Sequence, residues 1–240
     1  MRKDHRPYYL KRFYQKFEKF YAHHFIKPQF EFFGRGVTFI KPWHVEVFGS
    51  PVKLGSLSTV IAASDKKVRF CIWSNKTDIK GISIGDYCLI CPGVRISAAS
   101  EIIINESCMI ASGAYLTDSD WHGIYDRSFP VGNTKPVILE KNVWVGDSSI
   151  ICKGITIGEN SIIGAGSVVV NDIPANCIAA GNPAKVVKEL DKSIELKTRA
   201  NWLEDPSSLS RQFRELDREN LKGNTLLGWI RSIFFPKQSD

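Results

Sequence analysis

From Ile84 the chain carries an aliphatic residue at every sixth position. The cuts run Ile84, Ile90 and Ile96, slip by two residues, then continue as Ile104, Ile110 and Leu116. After an interruption the beat returns at Leu139, Val145, Ile151, Ile157, Ile163 and Val169. A small or acidic residue usually follows the aliphatic one, and position five is often small. Those fifth positions are Cys88, Val94, Ser100, Cys108, Ala114, Val143, Ser149, Ser161 and Ser167. A six-residue period predicts a parallel β-helix. Three short strands make one triangular coil of about eighteen residues, with aliphatic residues inside and small residues near the corners. One coil buries little alone, so stability comes from stacking neighbours. A sandwich of unrelated short strands would instead show hairpin turns and period-two alternation, and these are absent. The cuts give coils at 84–103, 104–138, 139–156 and 157–174, with a less regular coil or two before them around Leu54 and Val60. The period itself does not give the handedness.

Outside the beat, the pattern divides the chain into three. Residues 1–36 read as a basic aromatic helical segment, with Tyr9, Phe13, Phe17, Phe20 and Tyr21 at mixed three- and four-residue spacing. Residues 37–188 read as the β-helix domain. Residues 189–240 turn polar and helical, around Glu189–Ala200 and Ser208–Lys222, and end on the apolar run from Leu226 to Phe235.

The 240 residues carry 43% hydrophobic residues and a net charge of +7. Residues 1–36 hold nine cations against three carboxylates, so most of the excess lies there. Two readings of that segment stay open: a helix lying on an anionic membrane surface, or a helix packing its aromatic stripe on the β-helix or a neighbouring subunit. Nothing beyond charge supports nucleic-acid binding. No apolar run approaches a bilayer span and no signal peptide is visible. The expectation is a cytoplasmic protein, at the inner face of the membrane if residues 1–36 hold it there.

Six cysteines are present. Cys88-Leu-Ile-Cys91 matches CxxC by letters, but the hexad register points Cys88 inward, with Cys108 stacked on it one coil later. Buried cysteine as a small apolar residue fits better than redox or zinc chemistry.

The beat breaks after Trp121, at His122-Gly-Ile-Tyr-Asp-Arg-Ser-Phe-Pro. A solenoid tolerates an insertion at a corner, and functional loops sit there. His122 is the one histidine of the regular repeats, with Asp118 and Asp120 beside it. A histidine with a neighbouring carboxylate is a general-base arrangement. Asp120 or Asp118 would orient the ring, Asp120 being closer in sequence. Trp121, Tyr125, Asp126 and Arg127 offer aromatic faces and charged hydrogen-bonding groups that suit a sugar.

At these residues the chain resembles the hexapeptide-repeat acyltransferases, in the branch of the maltose, galactoside and lipopolysaccharide O-acetyltransferases. The resemblance covers roughly residues 54–188. It rests on Thr117-Asp-Ser-Asp-Trp-His-Gly-Ile-Tyr-Asp-Arg, Asn142-Val-Trp-Val-Gly-Asp, Ile163-Gly-Ala-Gly-Ser-Val-Val and Ile173-Pro-Ala-Asn-Cys-Ile-Ala-Ala-Gly-Asn-Pro-Ala-Lys. It implies an all-β, left-handed β-helix and a homotrimer with active sites at the clefts between subunits. It implies acetyl-CoA as co-substrate, lying along the β-helix edge, and no metal. The family's catalytic histidine falls on His122. Donor-site positions fall on Trp144, Gly146 and Asp147, whose backbone N–H faces the thioester oxygen. Ala165 and Gly166 line the pantetheine channel, and Lys185 and Lys188 meet the CoA phosphates. Two positions depart from the branch. Val170 and Asn171 stand where Thr-Lys is common, and Asp147 replaces a commoner Ser.

The resulting expectation is an acetyl-CoA-dependent O-acetyltransferase acting on a sugar hydroxyl, in a surface-polysaccharide precursor. An N-acyltransferase on an amino sugar and a non-catalytic β-helix trimer remain as alternatives.

Overall fold

The computed structural model describes residues 3–74, 78–128 and 130–237. Arg2, one of the nine cations of residues 1–36, and Phe129 of the interruption lie outside the described residues. Contacts divide the chain into two compact units, Tyr21–Trp202 and the pairing of Met1–Phe20 with Leu203–Asp240.

Among the described residues of the larger unit, twenty short strands form three sheets of six, eight and six strands, here the first, second and third faces. Neighbouring coils pair in parallel throughout; only the last strand, Ala184–Glu189, runs antiparallel, against Cys177–Gly181. Six full coils result, followed by a partial seventh. The fourth coil shows the plan, with Glu101–Ile104 on the first face, Met109–Ile110 on the second and Tyr115–Thr117 on the third.

The hexad residues stack in register along the prism. Leu54, Ile84, Ile104, Leu139 and Ile157 follow one another on the first face. Phe70, Ile96, Leu116, Ile151 and Val169 do so on the third. Nearly all are wholly buried. Burying each such side chain contributes about 1.5–3 kcal/mol, so the stack is the main stabilising element.

The small fifth positions have a second use beyond fitting the corner. Ser149, Ser161 and Cys88 are buried, and each donates to a backbone carbonyl of the following coil, on Gly164, Pro174 and Asn105. Cys108 does the same to Glu140, and burial together with neighbouring Cys88 pushes its thiol well up. The corner between the first and second faces needs left-handed backbone in every coil. Tyr87, Ser107, Asn142, Asn160 and Asn176 all take φ near +60° there. Asparagine tolerates this region better than most residues, and the last three also form an amide ladder, at 3.0 and 2.9 Å.

Two boundaries move. The first coil begins at Phe32–Phe33, inside the segment read as helical, and Phe30 and Ile26 already belong to the core. An edge-to-face cluster of Phe30, Phe39 and Phe70 closes this end of the prism. The helix expected over Glu189–Ala200 does not form. Residues up to Glu189 complete the antiparallel strand, residues 190–198 are turns and coil, and the helical part is α2 (Arg199–Trp202). In the smaller unit α1 (Tyr8–Tyr21), α3 (Pro206–Asn220) and α4 (Leu226–Phe234) are helices.

Candidate functional site

The interruption is a hairpin at the corner between the third and first faces. Residues 118–122 run antiparallel to 130–135. Bridges join Ser119 to Thr134 and His122 to Pro130, and amides of Asp120, Val131 and Lys135 donate to Asn133, Trp121 and Asp118. Trp121 and Val131 both have φ above +60°. That is costly backbone for bulky residues and persists only where surroundings enforce it. The indole N–H of Trp121 supplies the enforcement, donating to Thr117 Oγ1 at 2.9 Å and approaching Tyr115 Oη at 3.2 Å. The ring of Tyr115 in turn carries the Arg95 guanidinium 4.3 Å from its centroid. Gly132 has no room for a Cβ, which would collide with the His122 carbonyl oxygen.

His122 is exposed at the end of this rigid ladder. Neither carboxylate meets its ring. Asp118 is fully buried; its two oxygens accept from the amides of Ala99, Ser100 and Glu101, each at 2.7 Å. Burial pushes its carboxyl up, against the pull of these donors. The expectation that Asp118 orients the histidine is therefore corrected: its carboxylate holds the adjacent corner of the preceding coil. Asp120 Oδ1 is paired with Lys153 Nζ at 2.6 Å. Trp121 is likewise an anchor of the hairpin, its N–H being taken up by its own coil. Tyr125 at the tip is fully exposed. Asp126 closes a local turn by accepting from the Ser128 amide and hydroxyl, which lowers its carboxyl. Arg127 projects into solvent beside them.

The expected donor-site residues form a second group. Asp147, Ala165 and Gly166 stack at the corner between the second and third faces, where the Gly166 amide donates to the Asp147 carbonyl at 2.7 Å. Gly146 packs too tightly on the next coil for a Cβ, whereas a Cβ on Gly166 would meet nothing. Among the described residues none accepts a hydrogen bond from the Asp147 amide; its side chain accepts from Ser148.

Trp144, Ile162, Ile178 and Lys188 lie in register on the outer side of the second face, so Trp144 and Lys188 are roughly 14 Å apart at strand spacing. Lys185 and Lys188, three residues apart, would face opposite ways on a regular strand. A bulge skips Val187, so they pair with Ala180 and Ile178, which share the outward side. Both lysines are exposed.

One chain therefore brings the residues together as two separate groups. His122, Asp120 and Trp121 are at one corner, Asp147, Ala165 and Gly166 at another, with the third face between them.

A family model described as bacterial transferase hexapeptide (six repeats) matches residues 136–171. A Staphylococcus aureus (strain COL) protein that carries the provisional name acetyltransferase is 31% identical over 145 residues, covering 53% of this chain and 70% of its own. The galactoside O-acetyltransferase of Escherichia coli (strain K12) is 36% identical over 110 residues, which is 46% of this chain and 45% of that protein. A solved Bacillus cereus structure, also provisionally named acetyltransferase, shares the fold with a TM-score of 0.51 at 21% identity, covering 79% of this chain and 92% of that one.

The chain belongs to the hexapeptide-repeat acyltransferase family. It is an acyltransferase, and its prism is the left-handed β-helix of that family. The residues that support the hairpin include three that lie outside the motifs, Arg95, Tyr115 and Lys153. Arg95 and Tyr115 occupy the same hexad position one coil apart, directly before Ile96 and Leu116. Extending the register to outward positions would have found that pair. Lys153 has no such signal, because only the path of the hairpin brings Asp120 to it. Among the described residues no group of three His, Cys, Asp or Glu side chains is placed to hold a metal ion, and no helix is long and apolar enough to cross a membrane.

Proposed function

We propose that this acyltransferase moves the acetyl group of acetyl-CoA to a sugar hydroxyl, in a precursor of a surface polysaccharide, with His122 as general base. The observation that carries the reading is the placement of His122. It is a lone exposed imidazole at the end of a hairpin whose backbone is over-determined by Trp121, Gly132 and three cross-strand amides. An imidazole titrates close to neutral pH and serves as both base and acid.

The proton moves from the acceptor hydroxyl to the His122 imidazole as the oxygen attacks the thioester carbonyl. The C–S bond then breaks. The imidazolium returns its proton to the leaving thiolate, giving the acetyl ester and free CoA thiol. The Asp147 amide, with no acceptor of its own, suits the developing oxyanion. Lys188 and Lys185, on one outward side, suit the phosphates, with Trp144 and the open Gly166 corner along the way. Tyr125, Asp126 and Arg127 suit the acceptor.

The two separate groups of one chain support a homotrimer. A second copy placing its Asp147 corner against the first copy's His122 corner would complete a site, and the fully exposed hairpin tip would then be covered. Asp120, held by Lys153, is the remaining carboxylate for orienting the ring.

Thiol release from acetyl-CoA across a panel of sugars tests the reading, comparing the wild type with His122→Ala. Acceptor-dependent release that the substitution abolishes, with the oligomer unchanged in sedimentation, supports it. Equal release by both proteins removes His122 from the mechanism.

A further inference from the structure

Helix α1 has its polarity inverted. Its one carboxylate, Glu18, is buried. Lys11 is ion-paired at 2.7 Å with Asp217 of α3, and Gln15 reaches the same carboxylate. Positions 11, 15 and 18 share one side of the helix. Tyr9, Phe13, Phe17 and Phe20 recur on the other side at four- and three-residue spacing, and all are exposed, Phe13 by 69%. Lys16 lies on that side, with Lys19 beside it, both exposed. A surface helix ordinarily buries its apolar stripe and shows its charges. Here the polar side holds the unit together, while Tyr9 and Phe13 on the aromatic side turn to the surroundings.

A second element of the same unit does likewise. α4 contains no carboxylate, and it exposes Leu227 by 79% together with Ile233 and Phe234, followed by exposed Phe235. Its start is tied to the lead into α1, because the Asn224 side chain donates to the carbonyls of Asp4 and Arg6, at 2.7 and 3.1 Å. An exposed apolar surface of this extent marks a docking site.

The charges select the occupant. The exposed side of α1 interleaves lysines with aromatic rings and presents no carboxylate. A second copy would bring the same lysines and repel them. An anionic bilayer complements them, and each cation near such a surface is worth roughly fivefold in affinity. The helices have 14 and 9 residues, which suits lying in the interface and is too short to span it.

We propose that α1 and α4 form a two-helix platform that seats this protein on an anionic lipid bilayer, aromatic rings at the headgroup level and lysines on the lipid phosphates. The platform takes up one of the two readings left open for residues 1–36. It adds α4 and gives up residues 22–36, which belong to the β-helix unit. It is independent of the acetyl-transfer reading.

The test is flotation of the full chain with vesicles of phosphatidylcholine alone and with vesicles in which about one third is phosphatidylglycerol. The expected result is binding to the anionic vesicles only, weakened roughly tenfold in 0.5 M salt. Lys16→Gln with Lys19→Gln should lose roughly 25-fold. Phe13→Asp with Leu227→Asp should abolish flotation, while circular dichroism stays unchanged. Phe13→Ala, which removes the ring without adding a charge, should weaken binding if the paired variant fails to fold. Absence of wild-type flotation on anionic vesicles overturns the proposal, as does undiminished flotation of the aspartate or alanine variants. So does a result in which these substitutions change the oligomeric state in sedimentation and leave flotation untouched, since the face would then bind a second copy.

Discussion

The indole N–H of Trp121 donates to Thr117 Oγ1 at 2.9 Å, across four residues in which the chain leaves the third face and turns into the hairpin. This bond fastens the segment carrying His122 to the last strand of the fourth coil. It also explains how a tryptophan is kept at φ +65°. Trp121→Phe keeps the ring and removes the donor. The loss of about 1 kcal/mol falls on the hairpin alone, so kcat is expected to drop by about fivefold while the thermal midpoint of the protein barely moves. Steady-state kinetics alongside a melting curve checks this, and unchanged kcat would show that the hairpin keeps its place without the bond.

Gly132 gives a sharper version. Any side chain there collides with the His122 carbonyl, so one arm of the hairpin must move. A displacement near 1 Å at a catalytic group costs on the order of a hundredfold. Gly132→Ala is expected to lose activity by about that factor and to stay folded, as judged by circular dichroism. Full activity in the variant would separate the hairpin's geometry from the reaction.

Asp118 should behave in the opposite way. Its carboxylate satisfies three amides of the preceding corner, one buried and two part-buried, and Asp118→Ala leaves them without partners. Unsatisfied buried groups cost about 1–3 kcal/mol each, partly relieved by water, so a loss of roughly 3 kcal/mol or more is expected. For a chain of this size that lowers the melting midpoint by about 6–12 °C. Activity per folded molecule at low temperature is expected to survive. Normal stability with lost activity would return Asp118 to the mechanism.

The asparagine ladder separates two contributions at one position. Asn160 bonds to Asn142 and Asn176 and sits at φ +60°. Asn160→Gly removes the ladder and keeps the backbone easy. Asn160→Ala removes the ladder and adds the left-handed penalty, about 1 kcal/mol more. Denaturant melts of the two variants should rank alanine below glycine; the reverse order would mean the backbone conformation carries no cost there.

Acid stability of the smaller unit should follow Asp4. The Arg6 guanidinium, bonded at 2.9 and 2.8 Å, lowers its carboxyl to about 2. The folded pKa lies below the ordinary value, so the stabilisation is present above pH ~4 and is lost as pH falls through about 2. The pair is partly solvated, so its contribution stays below about 1 kcal/mol. A carbon-13 titration of the Asp4 carboxyl should show the depressed midpoint, and a midpoint near 3.8 would mean that the fork is open in solution.

What the sequence determined by itself is the prism. Its period places Ile84, Ile90 and Ile96 on three successive faces, the small fifth positions at the corners, and the interruption at one corner. All of that is a local repeat, readable because each coil contacts only its neighbours. The first two coils were harder to read, since Phe30, Phe39 and Phe70 fill the end of the prism and break the aliphatic beat. Tertiary structure decided the rest. It turned Asp118 into a corner clamp and gave Asp120 to Lys153, because carboxylates near a histidine in sequence bond to whichever donors the fold brings within reach. It put Lys185 and Lys188 on one side through a bulge that no periodicity announces. It also left the aromatic side of α1 outward, since helical spacing shows which residues share a side and only the packing of Lys11 on Asp217 and the burial of Glu18 decide which side faces in.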